Sequence, residues 1–150
     1  MDIGCGTGIL SYFAIQAGAK HVYAIEKANI YKMANKIIKE NKYEDKITIL
    51  NGFVEEITLP VDKVDIIVSE WMGYLLLFEG MFDSVKTAAD KFLKKDGMLF
   101  PNISNISLAG LNTPSSGNKF FNKLICPNEN FNAKNGDLTM IAKMNKLQRI

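Results

Sequence analysis

The stretch "DIGCGTG", Asp2 to Gly8, constrains the fold more than any other part of the chain. Three glycines at alternate positions follow what reads as a strand end, Asp2 to Gly4, and precede "ILSYFAIQAGA", whose apolar residues recur at helical spacing and stop at Gly18. Missing side chains let backbone N–H groups approach a ligand, and the start of the helix turns its positive end to the same place. The bland alternative is a tight turn with no ligand.

The pattern continues as alternating strands and helices. "HVYAIE" predicts a strand from His21 to Glu26, and Ile30, Met33, Ala34, Ile37 and Ile38 predict one apolar helix stripe. "ITIL" closes at Asn51-Gly52 as a third strand and "VDIIVSE" is a fourth. Phe78, Met81, Phe82, Val85, Ala88, Ala89 and Phe92 mark a further helix, and "GMLFP" supplies a fifth strand. Apolar strands separated by amphipathic helices predict an α/β fold: a doubly wound, Rossmann-like parallel sheet over residues 2–100 with helices on both faces. From Pro101 "ISNISLAGL" alternates at period two, so residues 102–150 are expected to begin a β-rich, barrel-like segment. Within it "TPSSGN" reads as a loop, while "KFFNKLI" and "LTMIAKM" fit strand and helix equally well.

An apolar content of 47% in 150 residues is enough for one main core and excludes a disordered chain or a disulfide mini-protein. The net charge of +2 comes from lysines interleaved with acids, which argues against a nucleic-acid groove. No apolar run approaches the ~20 residues of a membrane span. Cys5 and Cys126 lack metal-ligand spacing, and the start lacks a secretory pattern, so the expectation is an intracellular protein, cytoplasmic or nuclear.

Glu26 stands about twenty residues beyond the glycine loop, where a carboxylate can accept both hydroxyls of an adenosine ribose. The glycine spacing, G-x-G-x-G, favours a ligand without a pyrophosphate and so disfavours a nicotinamide oxidoreductase. A second feature is "SEWMGYLLLFEG", in which Glu70 and Glu79 flank an apolar loop. Burying two carboxylates costs several kcal/mol and sets them repelling one another unless a cation compensates them. The alternatives are two solvated side chains, or pairing with a lysine such as Lys86.

"DIGCGTGIL" with its acid-ended second strand resembles the S-adenosylmethionine-dependent methyltransferases, and "SEWMGY" with Glu79 resembles the protein arginine methyltransferases, whose double-E loop has this pattern. The resemblance covers Asp2 to about Leu111. It implies that Asp2, Gly4, Gly6 and Gly8 lie along the cofactor, that Glu26 holds its ribose, and that Val54 and Glu55 of "GFVEE" meet the adenine ring and its amino group. Cys5 and Lys27 flank these loops without chemistry of their own. Glu70 and Glu79 would jointly grip a planar, forked guanidinium, leaving one nitrogen to attack the sulfonium methyl. Trp71, Met72, Tyr74 and Met81 either wall that pocket or pack the loop, and the residue type at Met81 is associated in the family with product choice.

The resemblance further implies arginine-containing protein substrates, Gly-Arg-rich proteins or histones among them, asymmetric dimethylation, and no membrane or direct nucleic-acid partner. A homodimer is typical of the family. Family members carry a helical segment before the glycine loop, the rest of the first strand, a Thr-His-Trp loop and a dimerisation arm, none of which is recognisable here, so low stability is expected. A cofactor-binding but inactive relative therefore stays open beside the enzyme. His21 lies away from the expected site and reads as a solvated or packed histidine.

Overall fold

The computed structural model describes residues 1–108 and 140–141, and it divides into two compact units, Met1–Ile103 and Ser104–Ile150. In the first unit the chain runs β1 (Asp2–Ile3), α1 (Ile9–Gln16), β2 (Val22–Glu26), α2 (Tyr31–Glu40), β3 (Ile47–Asn51), β4 (Val64–Ser69), α3 (Met81–Phe92) and β5 (Leu93–Phe100). In the second, β6 (Ser107–Leu108) pairs antiparallel with β7 (Met140–Ile141). "TPSSGN", "KFFNKLI", Cys126 and most of "LTMIAKM" lie outside the described residues.

The five strands of the first unit form one parallel sheet in the order β3-β2-β1-β4-β5. The expected doubly wound α/β fold is therefore present. Because parallel crossovers are right-handed, the reversal of strand order between β1 and β4 sends α1 and α2 to one face and α3 to the other. Two apolar clusters follow this division. Cys5, Ile15, Val22, Ala24, Ile38 and Ile47 pack under α1 and α2. Ile3, Ile25, Ile67, Val85, Ala88 and Phe92 belong to the larger cluster under α3.

Val64 and Ile67 share that larger cluster although they stand three positions apart, an odd interval that would put them on opposite faces of a regular strand. The pairing of β4 with β5 shifts register between Val64 and Ile66, and this irregularity restores the common face. Ile67 has no exposed surface. Ile67→Ala is expected to cost about 2–5 kcal/mol, read as a lower urea midpoint at unchanged slope, a large share of the ~5–15 kcal/mol that stabilises an ordinary domain.

Three details differ from expectation. In α2 only Ala34 and Ile38 of the apolar stripe are buried; Ile30 and Met33 are exposed. α3 starts at Met81, because Gly80 before it takes φ 66°, a left-handed turn that breaks the helical run, and Phe78 stands outside at 78% exposure. β5 begins directly at Leu93 and includes Lys94, Lys95 and Asp96, which the apolar pattern alone does not mark as strand. An edge strand tolerates such charges, since one of its sides pairs with no other strand among the described residues.

Candidate active site

Ligand crevices in doubly wound sheets open at the carboxyl ends of the strands where the strand order reverses. Here that point lies between β1 and β4, with Ile3 opposite Ser69. The Ser69 hydroxyl, itself buried, donates to the Ile3 carbonyl at 2.8 Å and ties the two strand ends together. The glycine loop leaves one of them and Glu70 leaves the other.

Within the loop the Gly4 and Cys5 N–H groups both donate to the Ile25 carbonyl, at 2.9 and 3.1 Å. Gly4 and Gly6 take φ of 68° and 56°, a conformation that side chains resist, so glycine spacing here is a backbone requirement. The Gly6 N–H does not wait for a ligand: it donates to Glu26 Oε2 at 2.9 Å, while the Ala28 N–H donates to Oε1 at 2.8 Å. Loop and acid are thus one unit, with Glu26 only 8% exposed. A carboxylate offers about four acceptor positions, so two remain for hydroxyl donors. Asn51 at the end of β3 donates through Nδ2 to the Glu26 carbonyl at 2.7 Å and fixes the strand end that carries it.

Asp2 is fully buried, and its Oδ2 accepts a hydrogen bond from the Ser11 hydroxyl at 2.7 Å. Its Oδ1 is buried with no partner among the described residues. Burial raises the carboxyl above its ordinary value, against the opposing pull of Ser11 and the Met1 ammonium. A raised folded value means that the stabilising contribution is complete below the ordinary carboxylate range and is lost as pH climbs through the raised value. As pH rises towards neutrality the group therefore becomes a burden on the fold. Asp2→Asn, which keeps an acceptor for Ser11, is expected to raise Tm at pH 7 with a gain that shrinks below about pH 4, measured by thermal scans across that range. A variant less stable at pH 7 would contradict this.

Residues 53–57, the "FVEEI" segment, bring a third wall. Val54 is buried at 4% exposure, and Glu55 is exposed, its carboxylate lowered chiefly by a 2.7 Å hydrogen bond from the Ser84 hydroxyl of α3. Lys91, at the far end of α3, donates to the carbonyls of Glu55 and Ile57 at 3.0 and 2.7 Å. The Lys27 ammonium stands 5.2 Å from the centre of the Phe53 ring.

The paired glutamates depart from expectation: Glu70 and Glu79 are both exposed, and neither accepts a hydrogen bond from the described residues. The reason lies in the loop itself. Trp71, 4% exposed and 5.1 Å from the Phe82 ring, joins the α3-side core with Leu76, so these two anchor the loop and the residues around them turn outward. Leu75 and Leu76 take φ of 51° and 68°, a left-handed pair that stores about 1–3 kcal/mol per residue. Tyr74 does not pack the loop, standing 83% exposed. Met72 and Met81 pack against the core, and the Met81 methyl lies where a side chain on Gly4 would sit. On Gly73, an added Cβ would meet the Glu79 stem, so Gly73 and Glu79 touch across the loop.

Cys5 is buried, and burial with the charges of Asp2 and Glu26 pushes its thiol up to about 12, which makes it inert filler. His21 bonds Thr48 at 2.8 Å and packs on Tyr23, the packed one of the two roles expected of it. Ser11, Asn51, Ser69 and Ser84 hold the site together yet carry no sequence signal, because each acts through a partner 9 to 66 residues away. Among the described residues no cluster of His, Cys, Asp or Glu suits a metal ion, and no helix is long and apolar enough to cross a membrane.

Residues 1–99 match the family model described as ribosomal protein L11 methyltransferase, and the chain belongs to the methyltransferase class with this fold. Curated relatives sharpen the assignment. The chain is 56% identical over 111 residues to protein arginine N-methyltransferase 1 of Chlamydomonas reinhardtii, covering 74% of this chain and 32% of that one. It is 55% identical over 111 residues to the Schizosaccharomyces pombe enzyme of the same name, covering 74% and 33%. Among solved structures, the Trypanosoma brucei PRMT1 enzyme-prozyme heterotetrameric complex with AdoHcy superposes with a TM-score of 0.72 at 46% identity, covering 76% of this chain and 36% of that one. Arabidopsis thaliana protein arginine methyltransferase 10 gives 0.71 at 44%, covering 75% and 32%. This chain is a member of the protein arginine N-methyltransferase family, and it spans about a third of the length of the curated relatives it matches.

Proposed function

We propose that this chain binds S-adenosylmethionine and transfers its methyl group to a guanidino nitrogen of arginine in protein substrates, with Gly-Arg-rich proteins or histones as targets and asymmetric dimethylarginine as product. One observation carries the proposal: the pairing of β1 with β4, Ile3 opposite Ser69, which sets the glycine loop and Glu70 on neighbouring strand ends.

The residues suit this donor. Asp2 Oδ1 is a buried acceptor without a partner, suited to the cationic amino group of the methionine part, and Glu26 has acceptor positions left for two ribose hydroxyls. Val54 offers an apolar contact to the base and Glu55 an acceptor for its amine. Bound there, S-adenosylmethionine supplies an electrophilic methyl on a sulfonium. Glu70 and Glu79 accept N–H groups of the incoming guanidinium and draw its positive charge towards themselves, which leaves electron density on the remaining nitrogen. As the nitrogen–carbon bond forms and the carbon–sulfur bond breaks, one of the two carboxylates takes the nitrogen's proton. Alignment of the two reactants contributes several kcal/mol more.

Labelled methyl transfer from S-adenosylmethionine to a Gly-Arg-rich peptide tests this, and label in arginine is the expected result. A second reading, cofactor binding without turnover, is favoured by the exposure of both glutamates, since neither is held in a closed pocket. S-adenosylhomocysteine binding with no label at high enzyme concentration would select it.

A further inference from the structure

We infer that Ser11 makes the donor site demand a free amino group on the methionine part, by locking Asp2 with one oxygen committed to α1 and the other open to an ammonium, an inference that rests on the amino-group role proposed above for Asp2.

Asp2 lies on β1, the central strand, and Ser11 in the first turn of α1; neither side chain has any exposed surface. Gly8, the N-cap of α1, offers no side chain to the start of that helix. Asp2 stands in from the sheet, a negative group at the helix's positive end. The Ser11 hydroxyl gives its only proton to Oδ2 at 2.7 Å, which leaves Oδ1 buried with no partner among the described residues. An aspartate carboxylate turns through broad torsional wells, and this bond fixes it. Burial drives the group towards its neutral form and the Glu26 carboxylate pushes the same way, while Ser11 opposes both through its hydroxyl and its backbone N–H. Without the hydroxyl, Asp2 takes up a proton more readily, and a neutral carboxyl holds an ammonium far less well than a carboxylate does. With it, a ligand that brings an ammonium compensates Oδ1. A ligand that displaces water and brings none leaves a buried acceptor unpaired.

Ser11 is thus a positioning residue that acts through Asp2. Isothermal titration with S-adenosylhomocysteine and with its deamino analogue, which keeps the carboxylate but carries hydrogen in place of the amino group, measures the demand as a ratio of dissociation constants. The wild-type chain is expected to prefer the amino compound by about thirtyfold, the scale of one charge-assisted hydrogen bond. Ser11→Ala is expected to cut that ratio about fivefold while binding of the deamino analogue stays within about twofold of wild type, a pattern that a damaged fold does not produce. Ser11→Cys, whose thiol is a weak donor, is expected to fall between the two. If Ser11→Ala weakens both ligands equally or keeps the wild-type ratio, or if the wild type shows no preference, the inference is overturned and the functional proposal stands. Should the alanine variant fail to fold, the cysteine variant decides alone, an unchanged ratio overturning the inference. Failure of the wild type to bind S-adenosylhomocysteine at all removes both.

Discussion

Glu26→Ala is expected to weaken S-adenosylhomocysteine binding by at least about a hundredfold in isothermal titration, because two hydrogen bonds to a charged acceptor contribute about 1.5–3 kcal/mol each. The effect has two sources. The ribose loses its acceptor, and the glycine loop loses the group that holds it, since the Gly6 and Ala28 N–H groups both end on this carboxylate. Glu26→Gln separates the two, for an amide keeps one acceptor oxygen and replaces the other by a donor that faces a backbone N–H. It is expected to bind only slightly better than the alanine variant. Circular dichroism checks that each variant is folded. A folded Glu26→Ala chain that binds within about threefold of wild type, under 1 kcal/mol, would remove Glu26 from the site.

The second large effect falls on chemistry rather than binding. Replacing Glu70 and Glu79 together by glutamine is expected to lower methyl transfer by about a thousandfold, the scale on which single preorganised electrostatic groups act in other active sites. Donor affinity should stay within about twofold. Exposure makes the experiment clean: substitutions on a solvated surface usually shift stability by about 0.5 kcal/mol or less, so lost turnover is not lost fold. The single variants need not share the loss equally, because residues that grip one group as a pair act as a unit. Unchanged transfer in the double variant would place the guanidinium elsewhere.

Most of the sheet was legible because its signals are local. Glycines at 4, 6 and 8 and apolar runs of strand length report backbone demands that act within a few residues, and the acid at 26 is marked by its place at the end of the next strand. Their meeting at the carboxyl end of the sheet follows from the strands being parallel and from the handedness of the crossovers. What the sequence concealed depends on long-range contact. Burial of Glu70 and Glu79 was inferred from apolar neighbours, yet those neighbours divide: Trp71 and Leu76 enter the core, while Tyr74, Leu75, Leu77 and Phe78 face outward. Apolar content cannot say which residue of a loop becomes the anchor. Likewise nothing in "FDSVKT" marks Ser84 until α3 is laid beside residues 53–57. The charged start of β5 and the outward half of the α2 stripe belong to the same class, being settled by what lies next door.

Gly73 has an ordinary backbone angle, so its need for glycine is one of room and not of rotation. The stem of Glu79 fills the space that a methyl group would claim. The path of the Glu79 side chain past the loop is thus set by a hydrogen atom six residues before it. Any broader residue at 73 acts as a shim, displacing the Glu79 stem while leaving its carboxylate in the sequence.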